Sequence, residues 1–313
     1  MTQLKIHLFG PPRVTLGDAP VEIERRKALA LLAYLAVSRQ SHTRPALAAL
    51  LWPEAEPGRA SANLRQALWD INQAAGEGWV IADREAVGLN SESDIWLDVA
   101  EFQSALVAGR TAEQDCAALT RQLGQTVALY ANDFLAGFTL KDAPGFDEWA
   151  FFQAEGLRRD LAAALESLVR CQCESGAAEA AIPNARRWLS LDPLNEAAHR
   201  ALMQVYEQAD QYNAALRQYQ ECARILRDEL GAGPQPETTA LYEKIRAGEG
   251  RAAKPARPSA PRHNLPTQLT SFIGREKELG EIERLIAAHR LVTLTGPGGT
   301  GKTRLSLHTA GRV

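Results

Sequence analysis

The residue types best suited to chemistry lie near the carboxyl end, in a glycine-rich loop. Residues 296–303 read Gly-Pro-Gly-Gly-Thr-Gly-Lys-Thr, which is the pattern GxxxxGK[ST], between the strand-like run 291–295 and a predicted helix. Glycines let backbone N–H groups surround phosphates, and a helix amino terminus adds partial positive charge. The predicted nucleotide-binding residues are Gly296, Gly299, Gly301, Lys302 and Thr303. Lys302 would contact the β- and γ-phosphates, and the Thr303 hydroxyl would hold Mg²⁺.

Only ten residues of the sequence follow Thr303. Hydrolysis needs an acidic residue at the end of another strand, and one strand cannot bury both of its faces alone. We therefore interpret residues 267–313 as the start of a larger P-loop NTPase domain, an incomplete α/β fragment. On this interpretation no cofactor is required. A loop that folds and binds ATP and Mg²⁺ is the alternative.

A second group of residues could read nucleic acid. The outward positions of a predicted helix over residues 61–74 are rich in amide and basic side chains, and Asn or Gln can bond bidentately to adenine and Arg to guanine. The predicted DNA-binding residues are Arg59, Asn63, Arg65, Gln66, Trp69 and Arg84. Arg59 would hold a phosphate, Trp69 would pack on a sugar or a thymine methyl, and Arg84 would enter a minor groove. An ordinary solvated helix face is the alternative, which Asp70 favours because phosphates repel its carboxylate.

Short strands and three helices must position these side chains. Alternating apolar residues predict strands at 4–8, 14–16 and 21–23. The pattern then predicts helices at 24–37, at 44–51 and from a Ser61 cap to a residue before Gly76. Two apolar runs, 79–81 and 87–89, predict a hairpin with Arg84 at its tip. Three helices followed by a hairpin are typical of a winged helix-turn-helix.

Residues 98–248 are predicted to be helical almost throughout. The segment 174–182 aligns with 208–216, and an echo at 34 residues with small side chains is typical of tetratricopeptide-like helix pairs. Pro183 predicts a kink or a late helix start. The stretch 249–266 is rich in proline and small residues and predicts a flexible linker. The predicted domains are thus 1–97, 98–248, the linker, and 267–313.

Composition excludes several classes of protein. The net charge of −3 divides into −2 over residues 1–98, −8 over 99–250 and +7 over 251–313, so no domain is a broad basic block for non-specific nucleic-acid binding. No run approaches the ~20 apolar residues that span a bilayer. The four cysteines and six histidines show no CxxC, HExxH or metal-ligand spacing. We therefore expect a cytoplasmic protein with reduced thiols, no catalytic residues, no metal site and no membrane contact.

Long collinear runs resemble one family of bacterial regulators. Those at 26–36, 47–53 and 59–68 look like the winged helix of SARP-type transcriptional activators. Others look like the bacterial transcriptional activation domain that follows it, namely those at 98–102, 129–138, 148–149, 191–203 and 230–238. Residues 269–276 and the glycine-rich loop resemble the opening of a STAND-type ATPase domain. The resemblance covers nearly the whole chain.

The resemblance implies more than the patterns do. Such activators have an OmpR-type winged helix, bind direct repeats upstream of promoters and recruit RNA polymerase. The third helix would be the reader, the hairpin the wing, and Trp52–Gly58 a surface for the polymerase. The helical domain would contact the polymerase or a second copy. Trp69 and Asp70 stand where a more basic stretch is usual, which indicates a different target sequence or weaker affinity.

The sequence therefore predicts a mainly α protein: a winged helix, a tetratricopeptide-like domain and a P-loop fragment. Its predicted function is sequence-specific DNA binding and transcriptional activation without enzymatic activity. Its expected partners are double-stranded DNA, RNA polymerase and a second copy on direct repeats. Two alternatives stay open, an ATP-responsive signalling switch and a helical-repeat scaffold for protein interaction.

Overall fold

The computed structural model describes residues 3–111, 116–248, 276–289, 291–297 and 302–310. The chain divides into two compact units, residues 1–250 and 251–313. The predicted linker at 249–266 lies outside the described residues. Among those described, no helix has both the length and the apolar character needed to cross a membrane.

The amino-terminal part of the first unit forms two small sheets around three helices. Its elements in chain order are β1 (Leu4–His7), β2 (Arg13–Leu16), β3 (Ala19–Val21), α1 (Arg26–Ser38), β4 (His42–Thr43), α2 (Arg44–Leu51), α3 (Pro57–Ala75), β5 (Val80–Ala82), β6 (Ala86–Leu89) and β7 (Ile95–Leu97). One sheet has the order β3-β2-β1-β7, with β1 antiparallel to β2 and parallel to β7. The other has the order β4-β6-β5.

The third helix starts earlier than the sequence predicted. Leu64, Leu68 and Ile71 are buried at the predicted helical spacing, and the helix ends before Gly76, whose φ of +88° favours glycine. A cap at Ser61 is wrong, because α3 begins at Pro57 after Glu56. Proline at the first helical position has a φ already suited to the helix, and its missing N–H costs nothing there. Arg59 therefore lies in the first turn of α3 rather than before it.

The hairpin forms as predicted and is fastened at both ends. The Asp83 carboxylate accepts hydrogen bonds from the backbone N–H groups of Glu85 (2.7 Å) and Ala86 (2.8 Å), which fixes the turn. Arg44 Nε donates to the Asp83 carbonyl at 2.7 Å. At the other end, Trp79 Nε1 donates to the Ala75 carbonyl at 2.8 Å. These hydrogen bonds connect the hairpin to the start of α2 and to the end of α3.

The remainder of the first unit, which we call the helical half, is an array of helices. They are α4 (Asp98–Thr111), α5 (Cys116–Leu129), α6 (Pro144–Glu174), α7 (Ala178–Leu191), α8 (Glu196–Gln208), α9 (Tyr212–Leu230) and α10 (Pro236–Ala247). The first helices of two successive pairs, α7 and α9, begin 34 residues apart, as the echo predicts. A late helix start at Pro183 is wrong, because α7 begins five residues earlier and continues through it.

The winged helix and the helical half share backbone hydrogen bonds and one hydrophobic core. The buried Asp98 carboxylate accepts from the N–H groups of Leu8 (2.8 Å), Phe9 (2.9 Å) and Val99 (2.8 Å). Burial is the largest influence on the pKa of Asp98 and raises it, against these hydrogen bonds. Leu135 N donates to the Leu8 carbonyl at 2.8 Å. The core continues from β1 through α1 and α3 into α6.

The second unit contains α11 (Glu276–Ala288) and α12 (Lys302–Ala310). Leu279, Ile282 and Leu305 are buried together. The predicted strand at 291–295 is wrong, because residues 291–297 have no regular structure and Leu291 is 84% exposed. A strand needs a neighbour for its backbone hydrogen bonds, and the described residues of this unit supply none.

Candidate nucleic-acid interface

One face of α3 is open to solvent. We call it the exposed face of α3, and its members are Arg59, Ala62, Arg65, Trp69 and Gln73. Their positions repeat every three or four residues, so they lie along one side of the helix, opposite the buried Leu64, Leu68 and Ile71. Trp69 is 56% exposed, which is unusual for an indole on a helix that already packs an apolar face.

The Asp70 carboxylate contacts other side chains of the protein. Gln66 Nε2 donates to Asp70 Oδ1 at 3.1 Å, and Arg25 Nε lies 3.0 Å from Oδ2 as an ion pair. The geometry of that pair is not that of a hydrogen bond, and Oδ2 accepts none from the described residues. The charge that argued against DNA binding is thus offset by Arg25, and one predicted reader, Gln66, is half-buried and bonded to it.

Asn63 lies away from the exposed face, at a cleft between the winged helix and the helical half. The cleft has a volume of about 730 Å³, and Arg25, Arg26, Lys27 and Lys141 also line it. Arg26 donates to the Thr139 carbonyl at 2.9 Å, and Lys27 pairs with Asp142 at 2.7 Å, which lowers the pKa of that carboxyl. These two cations join the halves, so the structure separates Asn63 from Arg65 and Trp69.

The three predicted arginines have no internal partner among the described residues. Arg59, Arg65 and Arg84 are exposed and form no hydrogen bond or ion pair with the described residues. By contrast, Arg25 is ion-paired within the protein, and Arg26 and Arg44 donate hydrogen bonds to backbone carbonyls. Two of the unpaired arginines lie on α3 and the third on the hairpin turn, so unpaired positive charge marks both elements that a winged helix presents to DNA.

The segment between α2 and α3 carries acid rather than base. Trp52 ends α2, half-buried, with the Lys27 ammonium 5.4 Å from its ring. Glu54 and Glu56 are exposed. This segment suits a basic protein surface better than a phosphate backbone.

The predicted nucleotide-binding residues are only partly described. Gly299 and Gly301 lie outside the described residues, and the side chain of Thr303 is not described. Lys302 begins α12, and its Nζ donates to the carbonyls of Gly296 (2.8 Å) and Pro297 (2.7 Å). The lysine thus lies over its own loop, and nucleotide binding stays a prediction.

The sequence analysis missed one group of chemically capable residues. The Sγ atoms of Cys116 and Cys171 lie 2.8 Å apart, and Glu174 Oε2 is 3.0 Å from Cys116 Sγ. Cys116 is 55 residues from Cys171 in the sequence, so no spacing motif could reveal the contact.

Comparison with known proteins matches residues 97–246 to the bacterial transcriptional activator domain. The regulatory protein AfsR of Streptomyces griseus is 26% identical over 98% of this chain, which spans about a third (32%) of AfsR. The transcriptional regulatory protein EmbR of Mycobacterium tuberculosis is 27% identical over 78% of this chain and 63% of its own length.

The fold has a counterpart among solved structures. The structure of Mycobacterium tuberculosis EmbR in complex with a low-affinity phosphopeptide matches with a TM-score of 0.62 and 23% identity. The match covers 79% of this chain and 66% of that one. It confirms the predicted mainly helical fold with small amino-terminal sheets.

Proposed function

Because the chain is a homologue of the regulators AfsR and EmbR and carries a bacterial transcriptional activator domain at residues 97–246, we propose that it is a DNA-binding transcriptional activator. The observation that carries the proposal is the exposed face of α3, where Arg59 and Arg65 have no partner among the described residues. A guanidinium without an internal partner is ready for a phosphate or the edge of a guanine.

In this proposal α3 lies in the major groove. Arg65 and Trp69 face base edges, Arg59 in the first turn holds a phosphate, and Arg84 on the hairpin reaches the adjacent minor groove. Asn63 and Gln66 contribute at the border of the contact, since both are half-buried and Gln66 must share its amide with Asp70.

The partners we propose beyond DNA are RNA polymerase and a second copy of the chain on direct repeats. The acidic segment with Glu54 and Glu56 is the candidate contact for the polymerase, and the helical half, with its net negative charge, is the candidate for either. The protein acts without catalysing a reaction in this proposal.

The test begins by selecting genomic DNA fragments that the full chain retains, followed by anisotropy titrations on the most enriched fragment. A double variant, Asn63→Ala with Arg65→Ala, is expected to lose at least about tenfold in affinity, because each base contact contributes roughly 1–3 kcal/mol. Arg217→Ala removes the same charge from an exposed position on α9 and serves as the matched control. Enrichment of no fragment, or equal binding by the double variant and the control, would contradict the proposal.

Nucleotide binding is a second proposal, favoured by the placement of Lys302 over the loop carbonyls at the start of α12. The phosphate oxygens of bound ATP would replace those carbonyls as acceptors for Nζ. Calorimetric titration of the full chain with Mg-ATP is expected to show binding heat that Lys302→Ala abolishes. Equal heats in both proteins, or none in either, would refute the site.

A further inference from the structure

Three ligand atoms converge where α5 begins against the end of α6. Cys116 is the first residue of α5, while Cys171 and Glu174 lie one turn apart on α6 and so share a face. Their Sγ and carboxylate oxygen atoms all lie within 4.8 Å of one another. We call this group the thiol–carboxylate cluster.

We propose that the thiol–carboxylate cluster binds a divalent cation of the zinc class. Two thiolates and a carboxylate are ligands that such a cation accepts, at about 2.3 Å from sulfur and about 2.0–2.2 Å from oxygen. Mg²⁺ and Ca²⁺ are excluded because they select oxygen ligands. The cluster supplies three protein ligands and leaves the fourth tetrahedral position for water.

The geometry needs little change to admit the ion. Tetrahedral ligands at those lengths place two sulfurs roughly 3.8 Å apart, whereas Sγ of Cys116 and Sγ of Cys171 are 2.8 Å apart. An opening of about 1 Å is therefore required, and Cys116 can supply it because it is half-exposed at the end of a helix. Cys171 is 1% exposed, so packing holds its thiol in place.

Charge also favours a cation at this position. The Glu174 carboxylate lies 3.0 Å from Cys116 Sγ, and among the described residues no basic side chain lies within hydrogen-bond distance of either thiol. With both thiols ionised, three negative groups would face one another, which only a bound cation or bound protons can offset. Glu174 is exposed, so the ion can enter from solvent.

A disulfide is the competing fate of two close sulfurs. It needs an S–S distance near 2.05 Å and an oxidant, and it gives the carboxylate no role. With a peroxide as oxidant, two thiols and H₂O₂ would yield the disulfide and two waters. The carboxylate beside Cys116 distinguishes the cases, because it is a ligand for a metal and a hindrance to forming the attacking thiolate.

The test uses the full chain, with thiols reduced by a phosphine and titrated anaerobically with Co²⁺ as a spectroscopic stand-in for Zn²⁺. The expected result is a thiolate-to-cobalt charge-transfer band that saturates at one ion per chain and is displaced by Zn²⁺. Cys116→Ser is expected to weaken binding at least about tenfold, since loss of even an outer partner of a ligand costs 10–100-fold.

The matched control is Cys173→Ser, which removes a half-exposed thiol from the same helix that is not one of the three ligands. It should bind Co²⁺ as the unaltered chain does. Glu174→Gln, at the surface, is a second variant that keeps the fold and should also weaken binding. Absence of the band in the reduced chain, equal loss in Cys116→Ser and Cys173→Ser, or formation of a Cys116–Cys171 disulfide with peroxide but no cobalt band would overturn the proposal.

Discussion

The two arginines on the exposed face of α3 and two arginines of the helical half, Arg158 and Arg187, are used in opposite ways. On α3, Arg59 and Arg65 point to solvent without a partner among the described residues. In the helical half, Arg187 donates to the carbonyls of Val127 (2.8 Å) and Tyr130, and Arg158 is paired with Asp133 and Glu155. An arginine side chain is therefore either available to an external anion or used to stabilise the fold, depending on whether acceptors of the protein lie within its reach.

This difference explains why bulk charge is a poor guide to where the chain would bind DNA. The winged helix has a net charge near −2 and the helical half near −8, yet the exposed face of α3 is locally positive because Asp70 is turned to Arg25. The local surface potential therefore depends on which charges are already paired within the protein.

The largest expected effect is on stability, in the helical half. Arg187→Ala leaves the carbonyls at the end of α5 without their donor and should lower the free energy of unfolding by about 2–4 kcal/mol. Arg217→Ala, on the exposed side of α9, should change it by less than about 0.5 kcal/mol. Urea denaturation of both variants measures the difference. Equal losses of the free energy of unfolding in the two variants would show that Arg187 stabilises the fold no more than the exposed Arg217 does.

The next effect is on binding, in the winged helix. Trp69→Ala removes a half-exposed indole from the exposed face of α3 and should weaken specific DNA binding by about 1–2 kcal/mol. The free energy of unfolding should fall by less than about 0.5 kcal/mol, since the ring is 56% exposed. Anisotropy and urea denaturation on the same samples separate the two. A large loss of stability with unchanged affinity would assign Trp69 to packing instead.

A third effect concerns protonation inside the helical half. His199 Nδ1 accepts from Gln218 Nε2 at 2.7 Å and Nε2 donates to the Pro193 carbonyl at 3.0 Å, so the folded protein holds a neutral ring. Burial lowers the pKa of His199. The unfolded chain then takes up the proton first as pH falls below about 6.5, and stability declines by at most about 1.4 kcal/mol per pH unit.

Gln218→Glu isolates this histidine from His7 and His42, whose pKa values are also lowered by burial. A carboxylate beside Nδ1 favours the imidazolium, so the loss of stability between pH 7 and pH 5 should shrink by about 1 kcal/mol. Gln220→Glu, exposed on the same helix, adds the same charge elsewhere and should leave the pH profile unchanged. Identical profiles for the two variants would remove His199 as the cause.

The smallest expected effect is on DNA affinity and concerns Asp70 on α3. Asp70→Asn removes the carboxylate that holds Arg25 and Gln66, and should raise DNA affinity by about twofold while the salt dependence steepens slightly. Titrations at two salt concentrations measure both quantities. Weaker binding by this variant would mean that Asp70 positions Gln66 for the DNA rather than opposing the contact.

Local sequence signals predicted much of the winged helix. The apolar pattern and the stop at Pro53 predict α2, which runs over 44–51 as expected. Gly76 ends α3, and the Asp83 turn separates the hairpin strands. The start of α3 was missed because Ser61 and Pro57 both suit a helix start, and only packing decides between them.

Contacts between distant segments could not be predicted. Strands β4 and β7 have two and three residues, too few for a periodic pattern, and exist because β6 and β1 pair with them. The contact of Asp70 with Arg25 and that of Cys116 with Cys171 depend on how the helices pack. Asn63 was predicted with Arg65 among the outward positions of the third helix, yet the packing of α3 places it at the cleft.

The bonds from Asp98 to Leu8 and Phe9, with the Leu135–Leu8 bond beside them, join the end of β1 directly to the helical half. The shared hydrophobic core adds a second connection between the helical half and α3. If two copies bound neighbouring sites on a duplex, contacts between their helical halves would therefore set the distance between their α3 helices.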